Sequence, residues 1–179
     1  IGAGARGQIY ARYAQEHPEE LRIIAVAEPK ADRRALMCRA YGIPADRAFS
    51  NWEDLMARPQ MADAALICTL DDMHTEPTLA ALKQGYHVLL EKPFTATAAE
   101  ARELFALADA KGLVLMEAIT IPYLPQYAFL QAELPKIGEV RGAMASFCAR
   151  SARYDDYLKG IWNTTFDPAC LGGALNDMN

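Results

Sequence analysis

The stretch Ile1-Gly2-Ala3-Gly4-Ala5-Arg6-Gly7 constrains the fold more tightly than any other part of the chain. Its Gly-x-Gly-x-x-Gly spacing needs backbone without a Cβ at three set points, and a helical pattern follows at once. Between a strand and a helix, the first glycine makes the tight turn and the second lets the backbone approach a pyrophosphate. The third lets the helix pack close to the sheet. The N–H groups at the helix N-terminus then face negative charge, which makes Gly2, Gly4, Ala5, Arg6 and Gly7 candidate nucleotide-binding residues. Only Ile1 precedes the turn, so the strand that leads into it is expected to be missing, as in a chain truncated at its front. Taken alone the turn is a weak signal, because methyltransferases with related sheets carry similar ones.

The rest of the chain supplies the context. Ile9, Tyr10, Tyr13 and Ala14 recur at helical spacing, and His17-Pro18 closes the run. Leu21 to Ala27 is short, rich in β-branched residues and almost unbroken, which predicts a buried strand ending at Glu28-Pro29. A helix from Asp32 to Tyr41 ends at Gly42, Ala48-Phe49 forms a short strand, and Asn51 (with Ser50 as competitor) caps a helix from Trp52 to Ala57. Ala62 to Thr69 predicts the next buried strand. Thr75 to Gln84 is helical and stops at Gly85, and the strand His87 to Leu90 runs into Glu91-Lys92-Pro93. Thr97 and Glu100 form a capping box for a helix from Ala98 to Ala110, and Val114 to Ala118 is one more strand.

Strand and helix alternate with short connections, which predicts parallel pairing through right-handed crossovers. The fold class is α/β: a Rossmann-like, doubly wound sheet of order 3-2-1-4-5-6, its missing first strand central. Residues 1–121 are assigned to this dinucleotide-binding domain. The grammar changes after Ile119, where Pro122 and Pro125 frame a linker. Gln126 to Leu134 reads as a helix and Glu139 to Arg150 as a longer strand. Leu171 to Asp177 looks like a turn into a further helix. Residues 122–179 are therefore expected to open a second, mainly antiparallel α+β domain that is incomplete here.

Composition excludes several classes. A formal charge of −5, with 52% hydrophobic and 23% charged residues, describes a globular chain rather than a nucleic-acid or membrane surface. No apolar run approaches the roughly 20 residues needed to span a bilayer. Cys38, Cys68, Cys148 and Cys170 are scattered, with no Cys-x-x-Cys pair and no histidine at ligand spacing, so neither a metal site nor a disulfide framework is expected. A cytoplasmic protein with reduced thiols is the corresponding expectation.

Two residues carry the chemistry. Glu28 ends the second strand about twenty residues beyond the glycine turn, where a carboxylate accepts hydrogen bonds from the ribose hydroxyls of NAD. Lys30, Arg33 and Arg34 follow closely and suit the 2′-phosphate of NADP instead. Lys92 lies at the carboxyl end of a buried parallel strand, where such sheets bind ligands. An ammonium there hydrogen-bonds a substrate oxygen and stabilises charge during hydride transfer. A surface ion pair is the competing reading for Lys92, and a solvated strand end for Glu28.

Three motifs, Gly2-x-Gly4-x-x-Gly7, Cys68-Thr69-Leu70-Asp71-Asp72-Met73-His74-Thr75-Glu76-Pro77 and Gly85-Tyr86-His87-Val88-Leu89-Leu90-Glu91-Lys92-Pro93, together resemble the Gfo/Idh/MocA family. The resemblance implies an NAD(P)-dependent oxidoreductase acting on a sugar, polyol or related alcohol. It also implies a second domain whose open sheet mediates homo-oligomer formation. By position it makes Lys92 the catalytic lysine and sets Glu91 beside the cofactor. Thr69, Leu70 and His74 would line the nicotinamide-ribose side, and Asp177 would enter the substrate site four positions before the usual catalytic histidine. Pro122, before Tyr123-Leu124-Pro125, replaces an arginine or asparagine of many relatives. Met116-Glu117-Ala118 and Ser151-x-Arg153-Tyr154-Asp155 are closer to the dihydrodiol-dehydrogenase-like branch, where a tyrosine can replace that histidine. Arg153, Tyr154 and Trp162 are either substrate contacts or second-domain packing. The alternative from another class is a non-catalytic regulator that senses NAD(P) or sugar on the same fold.

Two structural expectations follow. The strands ending at Glu28 and Thr69 should lie a strand's width apart rather than pair directly. Without a complete central strand and second domain, these 179 residues alone should be unstable and bind cofactor poorly.

Overall fold

The computed structural model describes residues 1–146, 148, 150–151 and 153–173. Its elements run α1 (Ala5–Glu16), β1 (Val26–Ala27), α2 (Ala31–Tyr41), β2 (Ala48–Phe49), α3 (Trp52–Met56), β3 (Ala64–Ile67), α4 (Thr75–Gln84), β4 (His87–Leu90), α5 (Ala98–Lys111), β5 (Leu115–Glu117), α6 (Pro125–Glu133) and α7 (Tyr154–Leu158). The helix ends follow local chemistry. Gly42, Gly85 and Gly112 take the left-handed conformation that stops α2, α4 and α5. Asn51 accepts from Asp54 N–H, and Thr97 with Glu100 completes a capping box.

All pairing between strands is parallel. β3, β4 and β5 form one ladder, with Leu66 opposite Leu89 and Leu89 opposite Met116. β1 and β2 form a second, shorter one, Val26 opposite Ala48. Ile1 lies between the two. Its amino group donates to Leu66 O at 2.8 Å, its carbonyl accepts from Cys68 N–H at 2.8 Å, and Gly2 N–H donates to Ala27 O at 2.8 Å. The order across the molecule is therefore β2-β1-Ile1-β3-β4-β5. β1 and β3 stand a strand's width apart, as the predicted topology requires.

Behind Ile1 this lane opens into a cleft of about 710 Å³ between residues 21–26 and 62–66, roofed by α1 residues such as Tyr10 and Tyr13. That cleft explains the largest departure from sequence expectation. Of the predicted strand Leu21 to Ala27, only Val26 and Ala27 pair, because β2 offers two residues on one side and Ile1-Gly2 little more on the other. A strand needs a neighbour to take its N–H and C=O groups. The predicted strand Glu139 to Arg150 is likewise absent among the described residues, with Phe147 and Ala149 outside them.

The main core sits between the larger ladder and α4 and α5. Ile67, Leu82, Leu90 and Leu104 are fully enclosed, and each such side chain contributes roughly 2 kcal/mol on burial. On α1 the buried positions are Gly7, Ala11 and Ala14, whereas Ile9 and Tyr13 are exposed. The helix predicted from the spacing of Ile9, Tyr10, Tyr13 and Ala14 is present, and of those four only Ala14 is buried. Close approach of α1 to the glycine turn selects small residues, not large ones. Beyond β5, α6 buries no residue.

Candidate functional site

The carboxyl ends of β1, β3 and β4 converge on the glycine turn. Gly2 has φ +84°, and a Cβ there would overlap the Cys68 carbonyl at the end of β3. A Cβ on Gly7 would overlap the Gly2 carbonyl. Gly4 differs: the nearest atom to its missing Cβ is Arg33 Nη1, 3.6 Å away. Two glycines therefore let the turn fold onto the sheet, and the middle one leaves the backbone open to a ligand. Gly4 caps α1 without a side-chain hydrogen bond, and no acidic residue occupies the first turn around Ala5 and Arg6. A twelve-residue helix with an uncapped N-terminus beside an open glycine suits a pyrophosphate.

At β1, Glu28 is buried and turned inward. Its Oε2 accepts from Ala3 N–H at 2.7 Å and its Oε1 from Lys30 N–H at 2.9 Å. Each of its two oxygens thus accepts one backbone N–H of or beside the turn. Arg34 donates to the Glu28 carbonyl.

After β3, the Thr69 hydroxyl donates to Met73 O at 3.0 Å and Leu70 is half exposed. His74 is 1% exposed, with Nδ1 2.7 Å from Pro93 O. It thereby grips the residue next to Lys92. Its Nε2 has no hydrogen-bond partner. Burial pushes the Cys68 thiol up to about 12, so it stays protonated beside the turn.

At β4, Glu91 N–H donates to Ile67 O at 2.9 Å, which fixes the strand end that presents Lys92. The Glu91 carboxylate is 5% exposed and holds three groups. Tyr10 OH donates to Oε1 at 2.6 Å, Arg6 Nε lies 3.3 Å from Oε1, and Lys92 N–H donates to Oε2 at 2.7 Å. Lys92 itself is half-buried and precedes a cis Pro93. The structure thus joins Arg6 and Tyr10 of α1 to Glu91 and Lys92, far apart from them in the chain. Tyr10 was missed because its helical spacing reads as packing; its position four residues after Arg6, on one helix face, was the available signal.

Comparison with known proteins decides the family. Residues 1–119 match the family model GFO_IDH_MocA, described as "Oxidoreductase family, NAD-binding Rossmann fold". The chain belongs to the Gfo/Idh/MocA family. It is 35% identical over 160 residues to the scyllo-inositol 2-dehydrogenase (NADP(+)) IolU of Bacillus subtilis, covering 89% of this chain and 48% of that protein. It is 36% identical over 159 residues to the trans-1,2-dihydrobenzene-1,2-diol dehydrogenase of Oryctolagus cuniculus, covering 89% and 46%. Among solved structures it is similar to KijD10, a 3-ketoreductase from Actinomadura kijaniata in complex with NADP. That match has a TM-score of 0.59 and 31% identity, and covers 67% of this chain and 38% of that one. The chain spans about half the length of the curated relatives it matches.

Asp177 lies outside the described residues, as does the helix start predicted there. Arg153 donates to Thr165 Oγ1 at 2.6 Å and Trp162 Nε1 to Asp167 Oδ2 at 2.8 Å. Tyr154 stacks on Tyr157. These contacts stay within the carboxyl-terminal segment. No helix among the described residues is long and apolar enough to cross a membrane.

Proposed function

We propose that this chain is the dinucleotide-binding, lysine-bearing part of an NAD(P)-dependent oxidoreductase acting on an alcohol carbon of a sugar, polyol or related small molecule. The observation that carries the reading is the bracing of the Lys92 backbone, through Glu91, against the helix that starts at the glycine turn. A bound nicotinamide dinucleotide would supply the hydride-transfer chemistry, and Gly4 with the first N–H groups of α1 would hold its pyrophosphate. The Lys92 ammonium hydrogen-bonds the substrate oxygen, orienting it and stabilising the negative charge that develops there. Asp177 and a proton-transfer residue four positions beyond it complete the site from the second domain. The turn suits either dinucleotide: Glu28 would accept from a ribose hydroxyl of NAD, and Arg33 beside Gly4 would add the positive charge that the 2′-phosphate of NADP needs. Residues 1–121 form the cofactor domain, and residues 122–179 begin a domain that holds substrate and joins subunits.

The test is Lys92→Ala in the complete polypeptide, assayed on polyols and sugars with NAD and NADP. Turnover should fall by about a thousandfold or more while dinucleotide affinity stays within a few-fold. Unchanged turnover overturns the assignment. Dinucleotide binding with no turnover in the parent protein points to a sensor on the same fold.

A further inference from the structure

The contact between Tyr10 and Glu91 joins residues 81 positions apart, and the dehydrogenase reading gives the Tyr10 hydroxyl no task of its own. Tyr10 sits on α1 one helical turn after Arg6, and both reach the same Glu91 oxygen, at 2.6 and 3.3 Å. The other oxygen accepts the Lys92 N–H. A nearly buried carboxylate held on three sides has one orientation, and that orientation sets where the Lys92 backbone lies. The same helix carries at its first turn the N–H groups that face a pyrophosphate.

We propose that Tyr10 is a positioning residue, which clamps Glu91 against α1 so that the dinucleotide-binding helix and the catalytic lysine are held as one unit. The inference rests on the dehydrogenase reading, since it assigns Tyr10 a part in presenting Lys92. Arg6 assists from a half-exposed position, where water screens its charge, so the neutral phenol donor is the stronger of the two restraints. Partial burial and the Glu91 carboxylate both push the Tyr10 hydroxyl above its usual value, which keeps it a donor throughout the neutral and mildly alkaline range. A bound dinucleotide would itself restrain the first turn of α1, so the clamp acts on lysine placement more than on cofactor affinity.

The experiment is a double-mutant cycle of Tyr10→Phe and Glu91→Gln in the complete polypeptide, read as kcat, dinucleotide KM and melting temperature, with Lys92→Ala alongside. Tyr10→Phe keeps the ring and removes only the donor. We expect kcat to fall by about tenfold, with dinucleotide KM within about twofold and the melting temperature nearly unchanged. Adding Glu91→Gln, which sets an amide donor where one of the two accepting oxygens stood, should lower kcat much less than the product of the two single effects, because both weaken the same restraint. If Lys92→Ala abolishes turnover while Tyr10→Phe leaves kcat unchanged, the positioning role is overturned and the dehydrogenase reading stands. Strictly multiplicative effects also overturn it. Unchanged turnover in Lys92→Ala removes the dehydrogenase reading itself and this inference with it.

Discussion

The two sides of the sheet are built from similar sequence and reach different ends. Leu21 to Ala27 and Ala62 to Thr69 are apolar runs of similar length, yet the first contributes two paired residues and the second, through β3, four. β3 has β4 along one whole edge, and β4 has β5 beyond it. The run at Leu21 meets a two-residue partner on one side and the cleft on the other. Side chains follow the same division. Val88 and Leu90 are buried against α4 and α5, whereas Leu21 is exposed and Ile23 and Ile24 are only partly covered. Strand propensity proposes a strand, but a neighbouring backbone makes one.

The seam between the sides is the most sensitive place to test this comparison. Gly2→Ala places a Cβ against the Cys68 carbonyl at a left-handed φ. It should destabilise the complete polypeptide by about 3 kcal/mol or more in chemical denaturation and abolish detectable dinucleotide binding. A Gly2→Ala protein that binds dinucleotide normally would break the link between turn and seam.

Next comes a direct contrast across the seam. Leu90→Ala empties a fully enclosed site and should cost about 3 kcal/mol, whereas Ile24→Ala should cost less than about 1 kcal/mol. Equal losses in denaturant unfolding would mean that the Leu21 side is as well packed as the other. The smallest contrast concerns helix caps. Thr97→Ala removes a reciprocal pair with Glu100 on α5 and should cost about 1 kcal/mol; Asn51→Ala on the five-residue α3 should cost about half of that. The same unfolding curves measure both.

What could be read from the chain follows from the range of the interactions. Gly42, Gly85, Gly112, Asn51 and Thr97 ended or began helices where the sequence placed them, because caps are settled within a few residues. Lys92 fell at a parallel strand's carboxyl end for a related reason: the apolar run His87 to Leu90 is short and sharply bounded. Glu28 follows directly on β1, and the direction of its side chain was not legible. The Ala3 and Lys30 N–H groups that capture it exist only once the turn has folded back. His74 was placed in the right loop, and only burial showed that it holds the Pro93 carbonyl. Tyr10 showed only its place in a helical spacing, and its contact with Glu91 was not legible because that partner lies 81 residues away.

By itself, then, the sequence determined the α/β alternation, the helix boundaries, the glycine turn and the lysine that marks the family. Periodicity, capping and the absence of a Cβ act locally, so they are written in neighbouring residues. Tertiary structure alone decided how much of each apolar run became strand, which face of α1 packs, where Glu28 points, and that Glu91 binds α1 to Lys92. Each of those depends on hydrogen-bond partners and packing surfaces that arrive from distant parts of the chain.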